Sequence, residues 1–111
     1  MLREKYGIHT KAAAWLYTTL QNLSTDNYTI YVSFDLSAII ASSCPGVSFP
    51  SAAGGFHSEE VIEMGLVFGL FPSVRVISFS EYSPTVEDAR SGLLLANTIY
   101  HILLGEVMRK L

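Results

Sequence analysis

Two short apolar segments with similar sequences constrain the fold of this chain more than any other feature. Residues 29–35 read TIYVSFD and residues 74–80 read VRVISFS. Both are rich in β-branched and aromatic residues, which is typical of strands. Their near-continuous apolarity favours strands that are covered on both faces, as in a parallel sheet. We therefore predict two parallel strands of similar construction.

Helical segments alternate with these strands. A helix is predicted over residues 10–23, where Thr10 can act as the N-cap, and a second over residues 58–70, with His57 at the N-cap position and Glu60 three residues on. A third is predicted over residues 86–109, with either an interruption or a bend at Gly92. The order α-β-α-β-α contains a parallel βαβ unit flanked by helices. We predict an α/β fold, a single domain over residues 1–111, and a long loop over residues 36–56.

The amino-acid composition argues against some classes of protein. The chain has 111 residues, of which 50% are hydrophobic and 15% charged, with a net charge of −3. This composition argues against disorder and against a nucleic-acid partner. Few charges on a small chain suggest an apolar face that meets another copy or a complementary segment. The last predicted helix is apolar nearly all round, so we expect it to be covered on more than one side.

The single cysteine and the length of the apolar stretches indicate where in the cell the protein is expected. Cys44 cannot form a disulfide within the chain, so a cytoplasmic protein is expected. A small buried thiol is the favoured interpretation of Cys44, and a nucleophile is the alternative. The longest apolar stretches are judged too short to span a bilayer, so no membrane partner is expected.

Two carboxylates follow the predicted strands. Asp35 ends the first strand and Glu81 directly follows the second, and parallel strands present their carboxyl ends at one edge of a sheet, where ligands bind. An acid after a buried strand needs a partner. From the residues alone, Asp35 is either a loop-capping aspartate or a ligand for a hard divalent ion such as Mn²⁺.

The spacing of the surrounding residues is more specific. The run Ser33-Phe34-Asp35-Leu36-Ser37 is followed by Ala41, by Pro45-Gly46 and by Gly54, and the second strand leads into Ser80-Glu81-Tyr82-Ser83-Pro84, with Asp88 beyond it. This pattern resembles the signature of the ureohydrolases, the family of arginase, agmatinase and formiminoglutamase, over roughly residues 10–106. Formiminoglutamase-like and arginase-like members are the most similar, and the resemblance implies the C-terminal portion of a three-layer arginase-type fold.

The resemblance implies roles for three residues. Asp35 matches an aspartate that bridges two Mn²⁺ ions, Ser37 stands where a second metal-ligand aspartate is lost, and Glu81 matches the glutamate that holds the guanidinium or formimino group of the substrate. The family hydrolyses linear amidine C–N bonds with a metal-activated hydroxide. Its Gly-Gly-Asp-His and Asp-Ala-His-x-Asp segments do not occur in this sequence.

These departures predict a protein that is inactive or incomplete as this chain, with no catalytic residue assigned. The alternative is a non-catalytic interaction or regulatory module of ureohydrolase ancestry. Expected partners are a second copy or a complementary N-terminal half, and a small amidine substrate if the site is completed. His9, His57 and His101 are interpreted as structural, and Gly54-Gly55 as turn residues rather than a phosphate cradle.

Overall fold

The computed structural model describes residues 2–47 and 54–111. Its helices are α1 (Leu2–Tyr6), α2 (Lys11–Thr25), α3 (Ser58–Leu70) and α4 (Ala89–Arg109), and its strands are β1 (Ile30–Asp35) and β2 (Val74–Ser80). A single 3₁₀ turn, Leu36–Ala38, follows β1 directly. The predicted order of helices and strands is confirmed, and α1 is an addition that the sequence analysis did not predict.

The two strands pair in parallel. Their register places Asp35 opposite Ser80, so β1 and β2 end together. Val32 and Phe34 pack on the hydrophobic core, whereas Tyr31 is 64% exposed and Val76 is 51% exposed. The prediction that the strands are covered on both faces is therefore wrong for this chain, because the helices cover one face of the sheet and no described element covers the other.

The helical layer contains the best-packed part of the molecule. Every residue of α3 from Glu63 to Leu70 is buried, and α3 packs along α4 at a distance that only glycine permits. A Cβ at Gly69 would lie 2.0 Å from the carbonyl oxygen of Ile102, and one at Gly105 would lie 2.3 Å from that of Leu66. Arg109 Nε also donates to the Gly69 carbonyl at 3.1 Å. These contacts fix α4 against α3.

The starts of α2 and α3 agree with the sequence predictions. Thr10 caps α2, because its hydroxyl accepts the N–H of Ala13 at 3.3 Å. At the start of α3 the His57 N–H donates to Glu60 at 2.9 Å, which is half of the expected capping box. The last helix begins at Ala89 rather than at residue 86, and Gly92 lies inside it without ending it.

The predicted loop over residues 36–56 is more ordered at its base than expected. After the 3₁₀ turn, Ile39 forms an isolated parallel bridge with Phe56. Cys44 lies in this segment and is 1% exposed, which agrees with a small buried thiol. Residues 48–53 of the predicted loop lie outside the described residues.

Helix α4 differs from its prediction in two ways. It is covered by α3 on one face only, and Leu93, Tyr100, Leu103 and Val107 are each more than half exposed. By length and composition it could also cross a membrane, contrary to the judgement that every apolar stretch is too short. One such helix is weak evidence for a span, since core helices of soluble proteins have the same length and composition.

Candidate functional site

The end of β1 presents Asp35 to solvent. One carboxylate oxygen, Oδ1, accepts the backbone N–H of Ser37 at 2.9 Å and the Ser37 hydroxyl at 2.7 Å. These two bonds, with the hydroxyl contributing more, lower the pKa of Asp35. Asp35 therefore caps the 3₁₀ turn, as the loop-capping interpretation predicted, while its other oxygen accepts no hydrogen bond from the described residues.

The end of β2 presents Glu81 in a strained backbone conformation. Its φ is +70°, in the left-handed region that non-glycine residues rarely adopt. Such a conformation costs on the order of 1–3 kcal/mol and persists only where neighbouring contacts enforce it. Because Ser80 is opposite Asp35 and paired strands lie about 4.8 Å apart, Glu81 and Asp35 occupy the same edge of the sheet. Both side chains are exposed.

Hydrogen bonds join the segments that follow the two strands. The Ser83 N–H donates to the Gly46 carbonyl at 2.6 Å, and the Gly46 N–H donates to the buried Ser91 hydroxyl at 2.7 Å. A Cβ at Gly46 would lie 2.2 Å from the Glu87 carbonyl oxygen, so this approach requires glycine. The segments that carry Asp35 and Glu81 are thus held in one arrangement by the start of α4.

Two acids organise the start of α4. Glu87 accepts the N–H of Arg90 at 2.6 Å and the hydroxyl of Ser91 at 2.7 Å, and these bonds lower its pKa. Asp88 accepts the hydroxyl of Tyr82, and this bond, with some burial, raises the pKa of Tyr82 to about 12. Asp88 could be singled out from the sequence, whereas Glu87 could not, because Glu87 caps the helix through main-chain N–H groups that residue type alone does not reveal.

A second polar cluster lies away from the strand ends. His9 bonds Glu59 through Nε2, and its Nδ1 lies 2.7 Å from Glu63. Glu63 is 8% exposed, and its Oε1 also accepts the N–H groups of His9 and Thr10. The Glu59 bond, together with the Gly7 carbonyl and the Glu63 charge, raises the pKa of His9.

The cluster of His9, Glu59 and Glu63 (the His9 cluster) adjoins a cavity of about 580 Å³ between α1, α3 and α4, which Glu59 and Glu63 line. Its three side chains are the group in the described residues whose ligand atoms lie close enough to hold a metal ion. Both ring nitrogens of His9 already bond carboxylates, so the geometry is that of a charged histidine between two glutamates. The expectation of a structural His9 agrees with this arrangement, and Glu63 was missed because it lies 54 positions away in sequence.

The model of the arginase family matches residues 4–105. The chain belongs to the arginase family.

Solved structures of arginase-family proteins share its fold. Formiminoglutamase from Trypanosoma cruzi, in its oxidized form with Mn²⁺, is 29% identical and superposes with a TM-score of 0.74 over 97% of this chain and 34% of its own. Arginase from Entamoeba histolytica, in complex with L-ornithine, is 18% identical, with a TM-score of 0.75 over 92% of this chain and 37% of its own. The α/β arginase-type fold predicted from the sequence is thereby confirmed.

This arginase-family chain spans about a third of the length of the solved structures that it matches. Arginase from Bacillus subtilis gives the same result, with 21% identity, a TM-score of 0.72 and 32% of its chain covered. No curated protein matches the sequence significantly.

The strand ends of this arginase-family chain do not fit a two-ion manganese centre. Asp35 is one carboxylate, and the Ser37 hydroxyl donates to it instead of offering a second anionic ligand. In the described part of the chain, no group of three metal-ligating side chains includes Asp35, and the His9 cluster lies elsewhere. Mn²⁺ favours several hard oxygen ligands, and among the described residues no such set surrounds Asp35.

Proposed function

We propose that this arginase-family chain binds linear amidines, guanidino or formimino compounds, through Glu81, and that it does not hydrolyse them by itself. The observation that carries the proposal is the left-handed backbone of Glu81, at the exposed end of β2 and beside Asp35. Strained residues cluster at functional sites, where the surrounding fold holds a side chain in place for a ligand.

The chemistry of Glu81 suits an amidinium group. A carboxylate accepts paired N–H bonds from a planar cation, and such charge-assisted bonds are stronger than neutral ones. Asp35 lies at the same edge with a lowered pKa, so it stays ionised and adds negative charge beside the ligand. Two anionic groups together favour a cation over a neutral molecule at this edge.

The same edge explains the expected lack of turnover. Hydrolysis of an amidine requires an activated water, and the ligands that would hold two Mn²⁺ ions are reduced here to Asp35. Completion of the site by a complementary segment or a second chain would restore the family reaction, and any manganese dependence would arise there. We place the protein in the cytoplasm on the basis of its single unpaired cysteine.

A second function is favoured by the exposed apolar residues of α4. In this alternative the chain is a non-catalytic interaction or regulatory module of ureohydrolase ancestry, and Glu81 takes no part. Amidine binding distinguishes the two proposals. A chain that binds amidines should prefer an amidinium ion to a simple ammonium ion, whereas an interaction module should show no such preference.

Calorimetric titration with guanidinium and formimino compounds tests the first proposal, with methylammonium as the control ligand. We expect weak binding by the wild type and at least about tenfold weaker binding by Glu81→Gln, since hydrogen bonds to charged groups contribute about 1.5–3 kcal/mol. Glu106→Gln, near the end of α4 where Glu106 pairs with Arg109 and Lys110, is the matched control and should bind amidines as the wild type does. Equal binding of amidinium and methylammonium would reject the proposal and favour the module.

A further inference from the structure

Helix α4 carries an exposed apolar stripe with regular spacing. We define the α4 stripe as five residues at intervals of three and four positions: Leu93, Ala96, Tyr100, Leu103 and Val107. All five are exposed, and the four large side chains are between 56% and 64% exposed. Intervals of three and four along a helix place these side chains on one face.

The opposite face of α4 packs against α3. Leu94, Thr98 and Gly105 are buried there, and the glycine contacts between the helices leave no room for α4 to rotate. The α4 stripe therefore points away from the core of this chain and is held rigidly. A preorganised apolar surface loses little entropy when a partner covers it.

The spacing identifies the kind of partner. Alternating intervals of three and four are the a and d positions of a heptad, whose side chains insert between those of a second helix. A lipid surface selects a broad apolar face with basic residues on its polar side, whereas the lysine and arginine positions of α4 are limited to Arg90 and Arg109 at its two ends. Residues 91–105 contain no Asp, Glu, Lys or Arg, so two copies of the stripe meet without like charges.

We propose that the α4 stripe is the contact surface of a homodimer, in which α4 of one copy pairs with α4 of a second copy. The helix has 21 residues, which gives a length of about 31 Å and three heptads. A stable interface buries about 800 Å² on each partner. Because five side chains on one helix supply less than that, the dimer is weak and reversible, with a dissociation constant in about the micromolar range.

Sedimentation equilibrium of the purified chain over a wide concentration range tests the dimer. We expect the wild type to dimerise and Leu103→Lys to weaken dimerisation by more than about tenfold, because a charge in an apolar seam is desolvated without a partner. Val76→Lys, which places the same charge on the exposed face of β2, is the matched control and should dimerise as the wild type does. A monomeric wild type, or equal loss in both variants, would overturn the proposal.

Disulfide trapping tests the geometry independently of affinity. Tyr100 lies at the middle of the stripe, so it is near the two-fold axis whether the helices run parallel or antiparallel. Under mild oxidation, Tyr100→Cys should form a covalent dimer, and Gln21→Cys, on the exposed face of α2, should not. Cys44 is buried and does not compete. Equal trapping of both variants, or a monomer that instead binds phosphatidylcholine vesicles, would contradict helix pairing.

Discussion

The α3–α4 interface and the edge of the sheet formed by the carboxyl ends of β1 and β2 differ in how tightly their residues are packed. At the interface, Gly69 and Gly105 bring two helix backbones into contact, and the surrounding side chains are buried. At the edge, Asp35 and Glu81 are exposed, and Glu81 keeps a strained backbone. Stability is therefore concentrated in the helical layer rather than at the carboxyl ends of the strands.

The largest effect is expected where the interface is tightest. Gly69→Ala places a methyl group against the Ile102 carbonyl, so the helices must separate, and overpacking of this kind should lower the free energy of unfolding by about 3 kcal/mol. Urea denaturation measures the change. Ser58→Ala, at the exposed start of α3, should change stability by less than about 0.5 kcal/mol. A Gly69→Ala variant as stable as the wild type would show that the interface is loosely packed.

A buried serine connects the two regions. Ser91→Ala removes the hydroxyl that accepts the Gly46 N–H, leaving that buried donor unsatisfied at a cost of about 2 kcal/mol. Ser37→Ala removes a hydroxyl at the exposed edge and should cost less than about 0.5 kcal/mol. Denaturation of both variants gives the comparison directly. Equal losses would mean that the edge is as important to stability as the start of α4.

Substitution of Glu81 by glycine should raise the free energy of unfolding, whereas the substitutions above lower it. Glu81→Gly relieves the left-handed backbone and is expected to raise the free energy of unfolding by about 1 kcal/mol, while it abolishes amidine binding. Glu81→Gln keeps the strain and separates the backbone effect from the loss of charge. A Glu81→Gly variant that is less stable than Glu81→Gln would show that no strain is stored at this position.

The smallest effect concerns pH and the His9 cluster. Glu59, Gly7 and Glu63 raise the pKa of His9 above 6.5, so the folded chain binds the proton more tightly than the unfolded chain. The contribution of His9 to stability is therefore complete below about pH 6.5 and is lost as the pH rises through the raised value.

Stability measured between about pH 6 and about pH 9 should fall more steeply for the wild type than for His9→Asn. Parallel profiles for the wild type and His9→Asn would exclude His9 as the titrating group.

The sequence was sufficient for both strands, for the three longer helices and for their order, because β-branched strands, Thr10 and the glycine-proline turns act locally. It also indicated that Asp35 and Glu81 meet at one edge, since parallel strands require it. It failed where distant residues decide the structure. The Gly46–Ser91 bond and the Glu63 contacts join residues that are distant in sequence, and the apolar residues of α4 did not indicate which of its faces is exposed.

Thermal unfolding with and without millimolar Mn²⁺, together with assays for released ammonia, urea and formamide, tests the incomplete site most directly. We expect one cooperative transition at the same temperature in both conditions, and no product from guanidino or formimino compounds. A ligand that binds only the folded chain would add about 2.7 kcal/mol at a hundredfold excess over its dissociation constant. A rise in transition temperature that disappears in Asp35→Ala, accompanied by manganese-dependent product release, would show instead that the chain holds a working metal site.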